Sequence, residues 1–327
     1  MAGVSVPDGW IVLDKPVGLG STQAVAAVKR NLREAGHGKV KVGHGGTLDP
    51  LASGVLPIAL GEATKLCGRM LDSDKVYEFT IRFGEETDTL DAEGEVVAAS
   101  AVRPVIADIE AVLPRFTGAI EQVPPAFSAL KVDGRRAYDL ARAGAEVPLK
   151  ARNVTVRCLL PLPFRGGAGG GGSPQAPRQE DSPHPNPSPE GEGLEEVTLL
   201  ASVSKGTYIR SLARDIAQAL GTVGHVTYLG RIKAGPFTLE RAISLDKLNE
   251  IGKGAALEDV ILPLEAGLDD IPALSLDPEA AEAVRQGRVL SGLPQGDGLY
   301  WARAGKVPVA LMQLTAGTAK VVRGFNL

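Results

Sequence analysis

A single acidic side chain, Asp49, stands between Leu48 and a proline in the stretch KVGHGGTLDPLASGVLPIALGEATK, Lys41 to Lys65. Glycines precede it and a long apolar run follows it. A carboxylate beside apolar residues can do acid–base or nucleophilic chemistry, provided that it is ionised. Asp also forms turns and caps helices, because its oxygens accept local N–H bonds and a following proline fixes φ. For Asp49 taken alone, the turn is the better explanation.

Other patterns that could carry chemistry are incomplete. The segments GHGG and GEATK lack the Gly-Lys-Ser/Thr ending of a phosphate-binding loop. The run Asp88 to Glu95 resembles a calcium loop, but Leu90 occupies a ligand position, so we expect a turn between strands. Cys67 and Cys158 fit no zinc spacing, and no Gly-x-Ser-x-Gly elbow is present. We therefore expect neither a metal site nor a hydrolase triad.

Charge is distributed unevenly along the chain, although the net charge is only −4. Basic residues outnumber acidic ones from Lys131 to Arg157 and from Lys205 to Arg241. These two runs are candidate surfaces for RNA or another phosphate-bearing partner. The plainer alternative is that the charges solvate helix faces. Two basic runs in one acidic chain weaken that alternative.

The length of 327 residues and the apolar content of 44% allow one large domain or two smaller ones with a real core. No apolar run reaches the roughly 20 residues of a membrane helix. The N-terminus also lacks the basic-then-apolar layout of a secretory signal. We therefore expect a cytoplasmic protein that does not span a membrane.

The elements that must position any reactive group are mixed helices and strands. Apolar residues at helical spacing predict helices in STQAVAAVKRNLREAG and AVRPVIADIEAVLPRF, and alternation predicts a strand in VYEFTIRFG. The segment GTYIRSLARDIAQALG is expected to pass from a strand end into an amphipathic helix. The pattern predicts an α/β (α+β) fold with a mixed, largely antiparallel sheet, without a regular βαβ rhythm.

Two domains are expected, residues 1–262 and 263–327. Short strands separated by turns follow the segment from Pro263 to Pro272 and predict a small β-rich C-terminal module. Within the first domain, residues 165–193 are rich in Gly, Pro and Ser, so we expect a disordered insert. The flanking segments NVTVRCLLPL and LEEVTLLASVSKGTYIRSL are expected to contain neighbouring strands of one sheet.

The whole stretch around Asp49 resembles the catalytic motif of the bacterial tRNA pseudouridine-55 synthase family (TruB). WIVLDKPVGLGSTQAV is similar to that family's N-terminal motif, and KVYEFTIRFGEETDTLDAEGEV to its segment with a tyrosine beside the active site. QVPPAFSALKVDGRRAYDLAR, in the block of residues 122–152, resembles its RNA-binding thumb. SKGTYIRSLARDIAQALGTVGHVTYLGRIKAGPF resembles its last catalytic block. The C-terminal module occupies the place of the family's PUA-type RNA-binding domain.

The resemblance implies an enzyme that isomerises uridine to pseudouridine at position 55 in the T-loop of tRNA, without a cofactor or a metal. The N1–C1′ bond breaks, the base turns, and C5 bonds to C1′. A base stacked inside a folded loop cannot be attacked, so the enzyme must flip it out, at a cost of a few kcal/mol. The implied partner is the T-arm stem-loop of tRNA. No protein partner is required, and we expect a monomer.

The resemblance also implies roles for individual residues. Asp49 matches the catalytic aspartate, Arg210 the arginine that pairs with it, and Tyr77 the tyrosine on which the flipped base stacks. Tyr208 is expected on a strand two residues before Arg210, where it would share a face with that arginine and line the same pocket. Leu229 matches an apolar residue of the pocket.

The remaining matches concern the RNA and the pocket floor. His44 matches a histidine that helps displace the tertiary pairing of the loop, and its alternative is a turn histidine between glycines. Lys15 and Pro16 are expected to shape the pocket floor. The thumb supplies cations expected to contact phosphates, which set register and not sequence: Lys131, Arg135, Arg136 and Arg142.

Alternatives from other classes remain open. An RNA-binding tRNA folding chaperone would use the same basic surfaces without chemistry, although it would have no use for Asp49 and Arg210. A glycosidase would need a second carboxylate at a defined distance, which the sequence does not place. A guide-RNA-dependent relative acting on ribosomal RNA is a further alternative, but the motifs resemble the stand-alone bacterial form.

Overall fold

The computed structural model describes residues 7–128, 130–132, 134–143, 148–163, 193–252 and 257–327. They form two units. The first unit contains the chain up to Ser73 and from Arg231 onward, and the second contains Asp74–Gly230. Most of the predicted insert, residues 164–192, lies outside the described residues.

Strands predominate among the elements. In chain order they are β1 (Gly9–Lys15), β2 (Val42–His44), β3 (Ser53–Leu60), β4 (Lys75–Phe83), β5 (Glu85–Thr87), β6 (Val96–Ala99), β7 (Gly118–Gln122), β8 (Lys131–Val132), β9 (Arg135–Arg136), β10 (Arg152–Pro161), β11 (Glu196–Val203), β12 (Gly224–Ala234), β13 (Phe237–Thr238), β14 (Ile243–Ser244), β15 (Leu262–Pro263), β16 (Ala273–Leu276), β17 (Leu290–Ser291), β18 (Gly298–Ala304), β19 (Val307–Thr315) and β20 (Thr318–Gly324).

The helices are short apart from the first. They are α1 (Ser21–Glu34), α2 (Cys67–Asp72), α3 (Ile106–Val112), α4 (Ala137–Arg142), α5 (Ile209–Ala219), α6 (Leu245–Ile251) and α7 (Pro278–Arg285). Short 3₁₀ helices cover Gly61–Leu66, Leu113–Phe116, Leu239–Arg241, Leu257–Val260 and Leu264–Leu268. No helix in the described part of the chain is long and apolar enough to cross a membrane.

The predicted first helix is confirmed by α1. It starts after Gly20, whose N–H donates to the Gln23 side chain at 2.7 Å and so satisfies one of the free donors at the helix start. Ala24, Val28 and Leu32, spaced four residues apart, are fully or almost fully buried. Beyond the last turn, Gly36 adopts a φ of 87°, which glycine reaches without steric strain. The helix therefore lays one apolar face against the first unit and ends at a glycine.

The sheet of the first unit places the Asp49 segment. Its strand order is β14-β1-β3-β12. β1 pairs antiparallel with β3 and parallel with β14, and Lys15 at the end of β1 lies opposite Gly54 at the start of β3. Gly9 to Leu13 are buried, so this strand has no solvent-facing side and shows no alternation in sequence. Asp49 therefore lies in the loop that enters β3 beside the end of β1.

In the second unit the strand order is β12-β4-β11-β10-β7. The predicted strand is β4, where Phe79, Ile81 and Phe83 are buried at alternate positions. β10 and β11 pair antiparallel, as predicted for the segments on either side of the insert. The acidic run after Asp88 forms the turn between β5 and β6, as expected. The predicted mixed, largely antiparallel sheet is confirmed.

A separate five-stranded sheet, in the order β16-β18-β19-β20-β17, forms the predicted β-rich C-terminal module. One side packs against α7 through Leu274, Val284 and Met312. Leu311 and Phe325 join a different core cluster, which contains Trp10 of β1. The module thus shares a core with the first strand of the chain. The division between residues 262 and 263 stays a prediction.

Candidate active site

The Asp49 segment forms a tight turn whose neighbours are buried. The Asp49 carbonyl accepts from the Ala52 N–H at 3.1 Å. Leu48 and Ala52 are 3% and 0% exposed, whereas Asp49 itself is half-buried. The turn expected from Asp-Pro is therefore present, and the hydrogen bond that closes it is accepted by the backbone carbonyl of Asp49. The partly exposed Asp49 carboxylate therefore belongs to a turn whose neighbouring apolar residues are buried.

Ser21, the first residue of α1, holds the turn from one side. Its hydroxyl donates to the Leu48 carbonyl at 3.0 Å and accepts from the Leu48 N–H at 2.8 Å. The side chain is 4% exposed. A buried hydroxyl that satisfies both polar groups of one peptide residue fixes the backbone immediately before Asp49. The sequence analysis did not identify Ser21, because Ser at a helix start normally indicates only a cap.

Lys15 holds the other side of the turn. Its side chain is fully buried, and Nζ donates to the carbonyls of Pro16, Leu19 and Pro50 at 2.9, 2.7 and 3.2 Å. The Pro50 carbonyl also accepts from the Gly18 N–H at 2.8 Å. A buried ammonium needs such partners, since an uncompensated charge is costly in the interior. Lys15 thus ties the segment after β1 to the residue that follows Asp49.

Arg231 on β12 is a third support of the same loop. Its side chain is 1% exposed, and its guanidinium donates to the carbonyls of Gly46, Thr47 and Val55. It lies in the segment YLGRIKAG, from which the sequence analysis selected only Leu229. Charge patterning gives no means to separate this buried arginine from exposed ones, because all count equally in a basic run.

His44, the last residue of β2, lies opposite Ile58 of β3. Burial lowers the pKa of the His44 imidazole below its usual value, and the charge of Arg231 lowers it further. Nδ1 accepts from the Gly46 N–H at 3.4 Å. The ring is therefore neutral near pH 7 and presents a hydrogen-bonding group without a charge. It ends β2 and contacts the backbone two residues further on, so its role in displacing the tertiary pairing of the RNA loop stays a prediction.

Arg210 in the second unit is buried beside Asp91. It is the second residue of α5 and 6% exposed. Nη1 lies 3.1 Å from the Asp91 carboxylate and donates to the Thr89 carbonyl at 2.8 Å, and Nη2 donates to the Phe127 carbonyl at 3.0 Å. A cation in the first turn of a helix opposes the helix dipole, and the nearby carboxylate offsets this. The sequence analysis gave Asp91 no role.

The predicted setting of Tyr208 is wrong. It caps α5 with φ −100° and ψ 113°, and Arg210 lies inside the helix, so the two residues do not alternate along a strand. The Gln122 side chain binds the Tyr208 backbone in both directions, accepting from its N–H at 2.8 Å and donating to its carbonyl at 3.1 Å. The Arg152 guanidinium lies 5.1 Å from the centre of the Tyr208 ring. The tyrosine is held at its backbone and covered by a cation.

Tyr77 and Leu229 lie on neighbouring strands of the second unit, β4 and β12. Tyr77 is half-buried and stands on the same side of β4 as the buried Phe79 and Ile81. It therefore ends the apolar face of that strand with its ring partly accessible. Leu229 is 7% exposed. Both settings suit residues that offer apolar surface at the border of a core.

The predicted thumb contains a short hairpin, β8 and β9, followed by α4. Arg142 in the last turn of α4 is exposed, and its guanidinium lies 4.6 Å from the centre of the Tyr138 ring. The other predicted phosphate contacts, Lys131, Arg135 and Arg136, lie on the hairpin, and their side chains are outside the described part of the structure. Their contact with RNA stays a prediction.

The predicted site residues are distributed over the two units. The first unit brings Asp49, Lys15 and His44 together around one loop, and the second carries Tyr77, Tyr208, Arg210 and Leu229. A carboxylate on a loop held by three buried side chains can act as a fixed nucleophile or base. The buried Arg210 and Asp91 pair and the half-exposed tyrosine ring are features of the second unit.

Comparison with known proteins identifies the family. The description "TruB family pseudouridylate synthase (N terminal domain)" matches residues 30–166, and "tRNA pseudouridylate synthase B C-terminal domain" matches residues 210–269. Proteins named tRNA pseudouridine synthase B are similar to the chain: that of Novosphingobium aromaticivorans is 65% identical over 98% of both chains. That of Zymomonas mobilis is 54% identical over 97% of this chain and 96% of its own.

Solved structures share the fold. A chain from an H/ACA RNP bound to a substrate RNA containing 2′-deoxyuridine aligns with a TM-score of 0.66 and 26% identity, over 98% of this chain and 85% of its own. A chain of a Cbf5-Nop10-Gar1 complex aligns with a TM-score of 0.65 and 26% identity, over 98% of this chain and 84% of its own. Together with the matches in sequence, this places the protein among enzymes: the chain belongs to the TruB family of pseudouridylate synthases.

Proposed function

We propose that the protein isomerises uridine to pseudouridine at position 55, in the T-loop of tRNA, with Asp49 as the catalytic residue. The observation that carries the assignment is the Asp49 turn, whose backbone is fixed on both sides by the buried side chains of Ser21, Lys15 and Arg231. Membership of the family and the names of the similar proteins support tRNA as the substrate.

The reaction is an isomerisation, so its atoms and electrons balance without a co-reactant. The N1–C1′ bond breaks, the base turns, and C5 bonds to C1′. The proton leaves C5, and N1 gains one. Asp49 acts in its ionised form, either as a nucleophile or as a carboxylate partner to the ribose or the uracil. Its fixed backbone lowers the entropy cost of reaching the reactive geometry.

The base must leave the loop before it can react. Unstacking costs a few kcal/mol, and stacking on an aromatic ring recovers roughly 1–3 kcal/mol per base. Tyr77 serves as this platform, because its ring ends an apolar strand face and is partly accessible. Tyr208 and Leu229 line the pocket, and Arg210 supports the charge of the catalytic aspartate. His44, as a neutral ring, helps displace the tertiary pairing of the loop.

The remaining features concern the partner. The thumb binds phosphates of the T-arm through Lys131, Arg135, Arg136 and Arg142. The enzyme works in the cytoplasm, as a monomer and without a protein partner. The domains are residues 1–262 and 263–327, the second being PUA-like. The similar proteins are named as synthases, and nothing among them supports the alternative of a folding chaperone without chemistry.

Release of tritium from tRNA that carries 5-tritiated uridine tests the proposal directly, because isomerisation frees the C5 hydrogen. We expect stoichiometric release by the wild type and none by Asp49→Asn, which keeps the shape of the side chain but removes its charge. T-arm binding by the variant should stay within about threefold of the wild type. Release by Asp49→Asn at the wild-type rate would refute the role of Asp49. Binding without any release by the wild type would favour the chaperone.

A further inference from the structure

Arg231 donates to three carbonyls around the Asp49 loop, and the proposed mechanism assigns it no step of its own. Its Nε donates to the Val55 carbonyl at 2.8 Å, Nη1 to the Thr47 carbonyl at 3.3 Å, and Nη2 to the Gly46 carbonyl at 3.1 Å. Gly46 and Thr47 precede Asp49 in the chain, and Val55 follows it. One planar group therefore connects the two ends of the loop that carries the carboxylate.

The backbone of Arg231 is fixed as well. Gly54 has a φ of 99°, and a Cβ built on it would lie 2.3 Å from the Arg231 carbonyl oxygen. Only glycine allows β12 to approach the start of β3 so closely. The main chain of Arg231 thus lies against the first residues of β3, and its side chain binds both Val55 of β3 and the loop before that strand.

Burying this charge is costly, and a neutral side chain would fill the same space at lower cost. Its hydrogen bonds described above all go to peptide carbonyls at the two ends of one loop, so the cost is compensated there. A lysine cannot reproduce the arrangement, because its ammonium is a compact charge at one position, whereas the planar guanidinium presents several N–H donors in a fixed geometry. The planar guanidinium of Arg231 is therefore suited to hold two chain segments at a fixed separation.

We propose that Arg231 is a positioning residue that sets the geometry of the Asp49 loop by clamping Gly46 and Thr47 to Val55. The inference rests on the assignment of Asp49 as the catalytic residue. It acts on the maximal rate and not on RNA binding, because its contacts lie within the loop and its side chain is buried. A misplacement of about 1 Å in a reacting group can slow catalysis about 100-fold.

Single-turnover tritium release at rising enzyme concentration separates the maximal rate from the half-saturating concentration. The variants are Arg231→Lys, which keeps the charge, and Arg231→Gln, which keeps part of the hydrogen bonding. Arg285→Lys is the matched control, since Arg285 is exposed in the last turn of α7. We expect both Arg231 variants to lose 10-fold to 100-fold in maximal rate, with half-saturation within twofold of the wild type and the control unchanged.

Chemical rescue provides a readout that a general loss of stability would not produce. Arg231→Ala should regain at least tenfold in maximal rate with millimolar guanidinium, and not with methylammonium at the same concentration. Wild-type turnover by Arg231→Lys would overturn the inference while leaving the role of Asp49 intact. Loss of the fold in Arg231→Lys would overturn it too, because the residue would then support the whole unit. Full activity of Asp49→Asn would instead remove its premise.

Discussion

The hydrogen bonds of Ser21 make a quantitative prediction possible. Ser21→Ala removes a hydroxyl that donates to the Leu48 carbonyl at 3.0 Å and accepts from the Leu48 N–H at 2.8 Å. Each buried hydrogen bond contributes about 1 kcal/mol, so we expect a loss of about 2 kcal/mol in the free energy of unfolding. Leu48 is 3% exposed, so water has little access to replace the lost partner.

Urea unfolding followed by circular dichroism measures this loss. Thr22→Ala is the control: it removes an exposed hydroxyl from the next position of α1, so the two variants share the change in helix propensity. If Ser21→Ala also raises the activation free energy of the isomerisation by about 1 kcal/mol, half of the loss in stability, the maximal rate of tritium release falls roughly fivefold. A loss below about 0.5 kcal/mol, or an equal loss in Thr22→Ala, would refute the view that Ser21 holds the turn.

Two further predictions concern the C-terminal module and His44. Phe325→Ala should cost about 3–5 kcal/mol in urea unfolding, because Phe325 is 3% exposed and packs in the core cluster of Trp10. Val322→Ala, at a residue 56% exposed, should cost little, and equal losses would contradict this packing. The pKa of His44 should lie below 6.5, its usual value, in a titration followed by NMR. Because the folded state disfavours the charged ring, the contribution of His44 to stability is complete above pH 6.5 and is lost as the pH falls below it. His44→Gln should therefore reduce the acid-side loss of stability, and an NMR midpoint at or above 6.5 would contradict the reasoning.

Elements with a strong local signal were predictable from the sequence. α1 has four-residue spacing of buried residues and a glycine stop, and β4 alternates buried and accessible side chains, so neighbours in the chain carry the information. The pairing of β10 with β11 followed from two strand-like segments on either side of an insert that has little to bury. The Asp49 turn was predictable from Asp-Pro.

The start of α5 was not predictable to the residue. The segment GTYIRSL reads as a strand end because Thr, Tyr and Ile favour strands, yet the helix begins at Ile209. The Gln122 side chain, 86 residues away in the chain, binds the Tyr208 backbone and stops the extended segment there. A contact of that separation has no local signature. The error placed Tyr208 and Arg210 on one face of a strand, and their roles at the site stay predictions.

The supports of the Asp49 loop show what the sequence could and could not indicate: the family resemblance selected Asp49 and Lys15 as site residues, but not Ser21 or Arg231. Lys15, Ser21 and Arg231 come from the end of β1, the start of α1 and β12, and they meet at carbonyls between Gly46 and Val55. Arg231 is 176 residues from Val55 in the chain. All three lie inside segments that the sequence analysis matched to separate motifs of the family, WIVLDKPVGLGSTQAV and the last catalytic block. Side chains from these distant segments all form hydrogen bonds with the backbone of one loop. They thereby hold the Asp49 carboxylate in place between buried apolar residues. Replacement of any one support is therefore expected to affect the same property, the position of Asp49, and paired replacements should be less than additive in the maximal rate.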